Sequence, residues 1–359
     1  MNKNKINLEP AGNQTVFYVG IDVYKKKWVT TIRAHGMELR TFSMNPSPKE
    51  LADHLHRNYP EGIFKTAYEA GFCGFWIHHQ LESLGLSNCV IHAADIPTTN
   101  KEKVHKRDQI DSRKLARELE KGELNALYVP EIEQQQLRSL CRLRQKCTQQ
   151  GTRLKNRIKG HLHYYGIVLP KGEVSRYWSA AFISELESYC TKKTAGSSCL
   201  RFLIQELKEQ RRRLSDITCE LRTFCKGSGF SDMINCPRTV PGLGFITIVT
   251  LITEIIDINR FNKFDNLCSF VGLVPSTSSS GEKERINGLT PRRNKYLKHL
   301  IIESAWVAAR KDPELLQAFS LLIKRMPKTD AIIRIARKLL NRIRYVWKNQ
   351  TPYKMTLQS

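Results

Sequence analysis

VFYVGIDVYKKKWVTTI, residues 16–32, is the stretch from which the N-terminal part of the chain can be read. Val16 to Val19 is an apolar run that passes through Gly20 and delivers a carboxylate, Asp22, at its end. A basic turn, Lys25 to Lys27, separates it from a second β-rich run, Trp28 to Ile32. Aromatic and β-branched residues favour strands, and two such runs around a charged turn predict a hairpin. A carboxylate in so apolar a strand is costly unless a cation or hydrogen-bond donors meet it. Asp22 is therefore either a hydrogen-bonded structural residue or part of a site.

The pattern continues outward. Glu38 to Ser43 reads as a third strand, Pro48 to Asn58 as a helix with Leu51 and Leu55 inward, and Ile63 to Tyr68 as a strand ending at Glu69. Cys73 to Gly85 has helical spacing, Cys89 to Ala93 is strand-like, Lys101 to Gln109 is a basic loop, and Ile110 to Lys121 is a helix. Strands followed by strand–helix–strand alternation predict an α/β domain over residues 14–130, a mixed sheet with helices on its faces.

From Glu131 the texture changes. Leu143, Cys147, Leu154, Ile158 and Leu162 recur at helical steps, and Leu200 to Phe224 is a second long helical stretch. Paired helices with apolar seams predict a coiled-coil connector over residues 131–228. The other faces of the first helix carry Arg138, Arg142, Arg144, Arg153, Lys155, Arg157 and Lys159. One such cluster alone is an ordinary solvated face; a basic excess of this size leans towards phosphate. Residues 229–350 form a third, mostly helical region. There Pro241-Gly-Leu-Gly244 resembles the turn of a helix–hairpin–helix element, with Gly242 and Gly244 letting backbone N–H groups approach an anion. A small-residue loop, Gly272 to Gly281, is packed with hydroxyls and followed by Lys283, Arg285, Arg292, Arg293 and Lys295.

The chain has 359 residues, enough for two or three cores, and 58 Lys plus Arg against 34 Asp plus Glu, a formal net charge of +24. A polyanion is the expected partner, because phosphate neutralisation supplies most nucleic-acid affinity. No apolar run reaches the length of a transmembrane helix and no signal-peptide core opens the chain, so no membrane partner and a cytoplasmic, nucleoid-associated location are expected. Ten scattered cysteines without a CxxC pair give no standard zinc spacing and suit reduced thiols.

Asp22 and Glu69 lie at strand ends, and Asp108 and Asp111 stand three apart where a helix begins. Four carboxylates on one sheet edge need a compensating cation. Hard oxygen ligands favour Mg²⁺, and two such ions can bracket a phosphodiester. Asp95 is the main rival for membership of the group.

GIDVYKKKW, YEAG and RDQIDSRKLA, in this order, resemble the RuvC-like DEDD domain of the insertion-sequence transposases of family one-ten. PGLGFITIVTLITEI, FVGLVPSTSSSG and the run to LIIESAWVAARKDPEL resemble the second domain of the same family, which includes DNA invertases. The resemblance implies an RNase H/RuvC-like fold for the first region and places the acids on Asp22, Glu69, Asp108 and Asp111, holding Mg²⁺. It also implies a serine nucleophile at Ser280, with Ser278 and Ser279 as neighbouring candidates, and strand rejoining through a phosphoserine link. DNA, a non-coding guide RNA and a homodimer or tetramer are the implied partners. Arg107-Asp108 and Asp111-Ser112 depart from the family's usual Thr-Asp and Asp-Ala. The expected activity is thus a transposase or recombinase acting through Ser280. The alternatives are a RuvC-like nuclease that uses water and a catalytically silent nucleic-acid-binding protein.

Overall fold

A computed structural model describes residues 14–97, 108–168, 178–190, 194–227, 230–280, 283–289 and 294–355. The chain divides into two compact units, residues 2–130 and 131–359.

In the first unit, β1 (Val16–Val23), β2 (Trp28–Ala34) and β3 (Met37–Met44) form an antiparallel meander, and β4 (Ile63–Glu69) and β5 (Ser87–Ile91) join β1 in parallel. The sheet order is β3-β2-β1-β4-β5. Tyr24 N–H donates to the Lys27 carbonyl at 3.2 Å and closes the basic turn. His35 and Gly36, at φ 51° and 76°, turn β2 into β3 in the left-handed geometry that suits a two-residue hairpin. Helix α1 (Pro48–Asn58) starts because Ser47 accepts from the Glu50 N–H and Pro48 fits the first turn.

Strand alternation sorts the two faces. Phe17, Val19 and Ile21 of β1 and Phe64 and Tyr68 of β4 pack with α1 and with α2 (Trp76–Ser83). Gly20 of β1 and Ala67 of β4 look the other way, onto α3 (Asp108–Glu120). A Cβ at Gly20 would lie 2.5 Å from Ala116 N and closer still to the Ser112 carbonyl oxygen, so only glycine admits the helix at this distance. Helix α3 is predicted from Ile110; it begins two residues earlier, taking in Asp108.

In the second unit, α4 (Ile132–Tyr164) and α6 (Ala195–Gly227) lie antiparallel. Arg144 Nε reaches Thr218 Oγ1 at 2.9 Å, Gln210 Nε2 the Cys147 carbonyl at 3.0 Å, and His161 Nε2 lies 3.1 Å from the Gly196 carbonyl. Leu154, Ile158 and Leu162 pack on Leu200, Ile204 and Leu207, with Phe182 and Leu186 of α5 (Ala180–Ser188) completing that cluster. At their other ends the two helices contribute Leu137, Cys141, Leu221 and Cys225 to a larger core. That core is built on α8 (Phe245–Ile255), α10 (Leu297–Lys311) and α12 (Lys328–Asn349). The turn before α8 follows α7 (Phe230–Arg238), and α9 (Phe264–Val271) and α11 (Pro313–Leu322) complete the helices described.

One expectation is corrected here. Gly272 to Gly281 is not a loop over its length: β6 (Pro275–Ser280) pairs antiparallel with β7 (Lys283–Leu289), Ser280 opposite Lys283. Ser and Thr suit turns, yet Thr277 opposite Ile286 and Ser278 opposite Arg285 extend as a strand. Gly242, at φ 87°, turns the chain, and it also serves packing: a Cβ there would meet the Ser304 carbonyl oxygen at 2.5 Å and Ala308 N at 2.9 Å. Gly244 caps α8 in open space.

Candidate active site at the acidic sheet edge

The parallel register brings two of the acids together. Ile21 pairs with Tyr68, so Asp22 and Glu69 are the next residues on neighbouring strands. Two residues beyond Gly20 and Ala67 respectively, both project to the α3 face. Asp22 is half-buried and Glu69 exposed.

Helix α3 runs antiparallel to β1. Ser112 and Ala116 sit at Gly20, whereas Glu120, a further turn along, accepts from Arg33 Nε at 2.8 Å and from Gly36 N–H at 2.7 Å. Arg33 pairs with Tyr18, on the side away from Asp22. The N-terminus of α3 therefore points towards the acidic end of the sheet. From Ser112 back to Asp108 is about 6 Å along a helix axis, and from Gly20 on to Asp22 about 6 to 7 Å along a strand. Half-buried Asp111 immediately precedes Ser112. The Asp108 backbone is helical, but its side chain lies outside the described residues. Asp95 closes a short 3₁₀ turn after β5.

Ser112 explains one departure from the family pattern. Its hydroxyl, buried under β2, lies 2.9 Å from Thr31 Oγ1, which in turn is 2.9 Å from Thr41 Oγ1. This chain of hydroxyls fixes α3 across β2 and β3, which alanine could not do.

The acids do not form an assembled magnesium cluster among the described residues. Among the described residues, no three His, Cys, Asp or Glu side chains gather closely enough to hold a metal ion. Asp22, Glu69 and Asp111 share an edge without closing into a cage.

Two cations of the α4 stripe, Arg142 and Arg138, bond within the fold. Arg142 Nε and Nη2 donate to the buried Glu254 carboxylate at 2.7 and 2.9 Å, and Asn294 Nδ2 adds a third bond at 2.8 Å. The bonds to Glu254 hold the Arg142 guanidinium above its ordinary pKa. Arg138 donates to the Thr253 carbonyl at 2.7 Å, and burial lowers its pKa. Arg153, Arg157 and Lys159 remain exposed along α4. Lys155 is half-buried, its ammonium 5.8 Å from the Trp178 ring, and burial followed by Arg211 and Lys159 lowers its pKa. Lys295 is exposed beside Tyr296, and the backbone of Lys283 and Arg285 lies on β7. Gly281, Arg292 and Arg293 and the side chains of Ser278, Ser279, Ser280, Lys283 and Arg285 lie outside the described residues. No described helix is long and apolar enough to cross a membrane.

Two family models match the chain. One, described as Transposase IS116/IS110/IS902 family, matches residues 236–320, and the DEDD model of the IS110 group, described as Transposase, matches residues 19–167. Together they define a transposase. The transposase for insertion sequence element IS1111A of Coxiella burnetii is 26% identical over 67% of this chain and 65% of that protein. The transposase for insertion sequence element IS1328 of Yersinia enterocolitica is 24% identical over 57% of this chain and 59% of its own length. The chain thus spans less than two thirds of the length of these two relatives. It belongs to the IS110/IS1111 transposase family.

The matches correct the expected chemistry. The model spanning β1 to α4 is the DEDD one, a type of domain that is generally metal-dependent. The expected strand exchange through Ser280 beside an assembled metal cluster is corrected by two findings: the matched model is a DEDD nuclease-type domain, and among the described residues no three metal-ligating side chains gather.

Proposed function

We propose that the first unit is an RNase H/RuvC-like DNA-cleaving domain that uses water as the nucleophile and serves a transposase. The observation that carries it is the register of Asp22 with Glu69 at neighbouring strand ends, on the face where the N-terminus of α3 arrives. The strand order β3-β2-β1-β4-β5 supports the same fold.

The donors suit magnesium. Mg²⁺ is held by one or two carboxylates together with its own waters and substrate phosphate, so an open edge of hard oxygens fits it without a protein cage. Asp22 and Glu69 would hold it, with Asp108 and Asp111 completing the set. Bound there, the ion would neutralise the scissile phosphate and acidify the attacking water. Asp22, on a strand fixed on both sides, gives the edge its rigid point. In this reading Asp111, near the N-terminus of α3, would orient a water and accept its proton. The water oxygen bonds to phosphorus as the bridging P–O bond breaks, and the departing oxygen takes up a proton.

Exposed Arg153, Arg157 and Lys159 form a phosphate-binding stripe in this reading, with Lys295 and the β7 cations as a second contact. A guide RNA as the second polyanion suits the net charge of +24, and a homodimer or tetramer is what the family resemblance implies.

The test is strand cleavage of a labelled DNA with Mg²⁺. Asp22→Asn should lower the rate by about 10²–10⁴-fold, the range of a lost acid–base or metal-binding group. Wild-type products should carry free ends and no bound protein. A covalent protein–DNA adduct, or cleavage undiminished in Asp22→Asn, would defeat the proposal.

A further inference from the structure

The same sheet edge carries a feature that strand cleavage by carboxylates does not use. Immediately beyond Glu69 the chain makes a tight turn, and Phe72 at its tip is 63% exposed. Four residues later Trp76, 46% exposed, opens α2. Among the described residues the packing of α2 does not require two large rings there, since Ile77 and Leu81 supply its buried face. The turn is nevertheless firmly held. Gly74 N–H donates to the Gly71 carbonyl at 3.2 Å, Gly74 adopts φ 62°, and the hydroxyl of fully buried Tyr68 donates to the Gly74 carbonyl at 3.0 Å. A large apolar ring displayed on a pinned turn is an interaction surface rather than a frayed loop.

Its chemistry points to one occupant. Lys25, in the turn that follows Asp22, holds its ammonium 5.8 Å from the Phe72 ring centroid, so the turns after β1 and β4 meet above the acidic edge. Lys25 and Lys26 are both exposed. Flat rings interleaved with cations are what an unpaired nucleotide needs: a π-face for the base and a positive charge for its phosphate. A protein partner would leave the lysines facing an apolar contact, and a duplex would offer the rings no open base face.

We infer that Phe72 and Trp76, with Lys25 and Lys26, form a stacking platform for unpaired bases of the DNA strand entering the acidic edge. The inference rests on the proposed cleavage site for its location, but not for its test. Stacking on rings fixed next to Asp22 and Glu69 would set which phosphate reaches the carboxylates. Single-stranded or locally opened DNA would thereby be preferred over intact duplex.

The experiment measures binding of the full chain, in EDTA so that no strand is cut, to a fluorescein-labelled single-stranded oligonucleotide and to a blunt duplex of the same length. Phe72→Ala/Trp76→Ala should weaken single-strand binding about tenfold to a hundredfold, the scale of base–aromatic stacking, and leave duplex binding nearly unchanged. Phe72→Tyr/Trp76→Phe, which keeps the rings, should restore it. Trp76 fluorescence in the Phe72→Ala chain should be quenched by the single strand and not by the duplex. Equal losses for both DNAs, no loss for either, or reduced self-association of the protein as the sole effect would overturn the inference. Asp22→Asn separates the two ideas: if it still cuts DNA the cleavage proposal fails, whereas the binding comparison in EDTA stands or falls separately.

Discussion

Gly20 in the first unit and Gly242 in the second solve the same problem, and the difference between them shows what each unit is built to do. Each lies under a helix at a Ser-x-x-x-Ala step, Ser112 and Ala116 in α3, Ser304 and Ala308 in α10. In each, an added Cβ would run into helix backbone rather than a yielding side chain. Gly20 lies in a regular strand, and what it gains is position: it sets α3 against β1 so that the acid-bearing end of the helix arrives beside Asp22. Gly242 also turns the chain, at φ 87°, and what it gains is a core, because the helices it brings together are among the most buried in the chain.

The largest effects should come from breaking that pair. Gly20→Ala must lift α3 off the sheet, costing about 1–3 kcal/mol through overpacking. Displacing the acids by about an ångström should also lower cleavage on the order of 100-fold. Gly242→Ala combines a similar clash with a strained left-handed backbone and should destabilise about as much or more, without touching the acidic edge. Buried thiols report which unit has opened. Burial pushes Cys89 in the first unit up to about 12, and Cys141 and Cys268 in the second up to about 11. All three are therefore protonated and shielded when folded. Gly20→Ala should speed alkylation of Cys89, and Gly242→Ala that of Cys141 and Cys268. The sign of the linkage follows from the raised values. Burial of these thiols stabilises fully below the unfolded value of 9 and is lost as pH climbs towards 11 or 12, because the unfolded chain ionises first. Alkylation rates that rise equally in both units would show that the two glycines do not act separately.

Next in size are the carboxylates themselves. Glu254 is buried and met by Arg142 and Asn294, whereas Glu69 is exposed at a strand end beside Asp22. Arg142→Ala leaves a buried charge without its main partner and should cost about 3 kcal/mol in a denaturant titration. Glu69→Gln should change stability by no more than about 0.5 kcal/mol, the ordinary range for an exposed site, while cleavage is lost. A Glu69→Gln chain that unfolded as easily as Arg142→Ala would show the edge to be a structural network.

Much of the first unit was legible because its strands alternate cleanly and its breaks carry Gly, Pro or charge. The hairpin around Lys25–Lys27, the helix from Pro48 and the strand ending at Glu69 all lie where the pattern puts them. The acids could be placed on elements but not closed into a cage, since nothing in one-dimensional spacing reports how far apart strand ends and a helix end finally stand. A basic stripe does not reveal which of its members, here Arg138 and Arg142, will meet a buried carboxylate or carbonyl more than a hundred positions away. The serine run misled for a local reason. Small hydroxyl residues suit turns and tolerate strands alike, and the partner strand that decides between them starts beyond the run itself.

The smallest predicted effect sharpens the contrast at Gly20 itself. Ser112 takes the place where the family pattern has alanine, and its hydroxyl ties α3 to Thr31. Ser112→Ala deletes that bond but leaves Thr31 its contact with Thr41 2.9 Å away, so no hydroxyl is stranded. The loss of one hydrogen bond, about 1 kcal/mol, is offset by up to about 0.5 kcal/mol from the better helix propensity of alanine. The net change should therefore stay below about 1 kcal/mol in a denaturant midpoint, with cleavage nearly intact, because Gly20 and not the hydroxyl sets the height of the helix. If Ser112→Ala instead matched Gly20→Ala in lost cleavage, lateral anchoring through Thr31 would be what positions the acids, and the close approach at Gly20 would be packing alone.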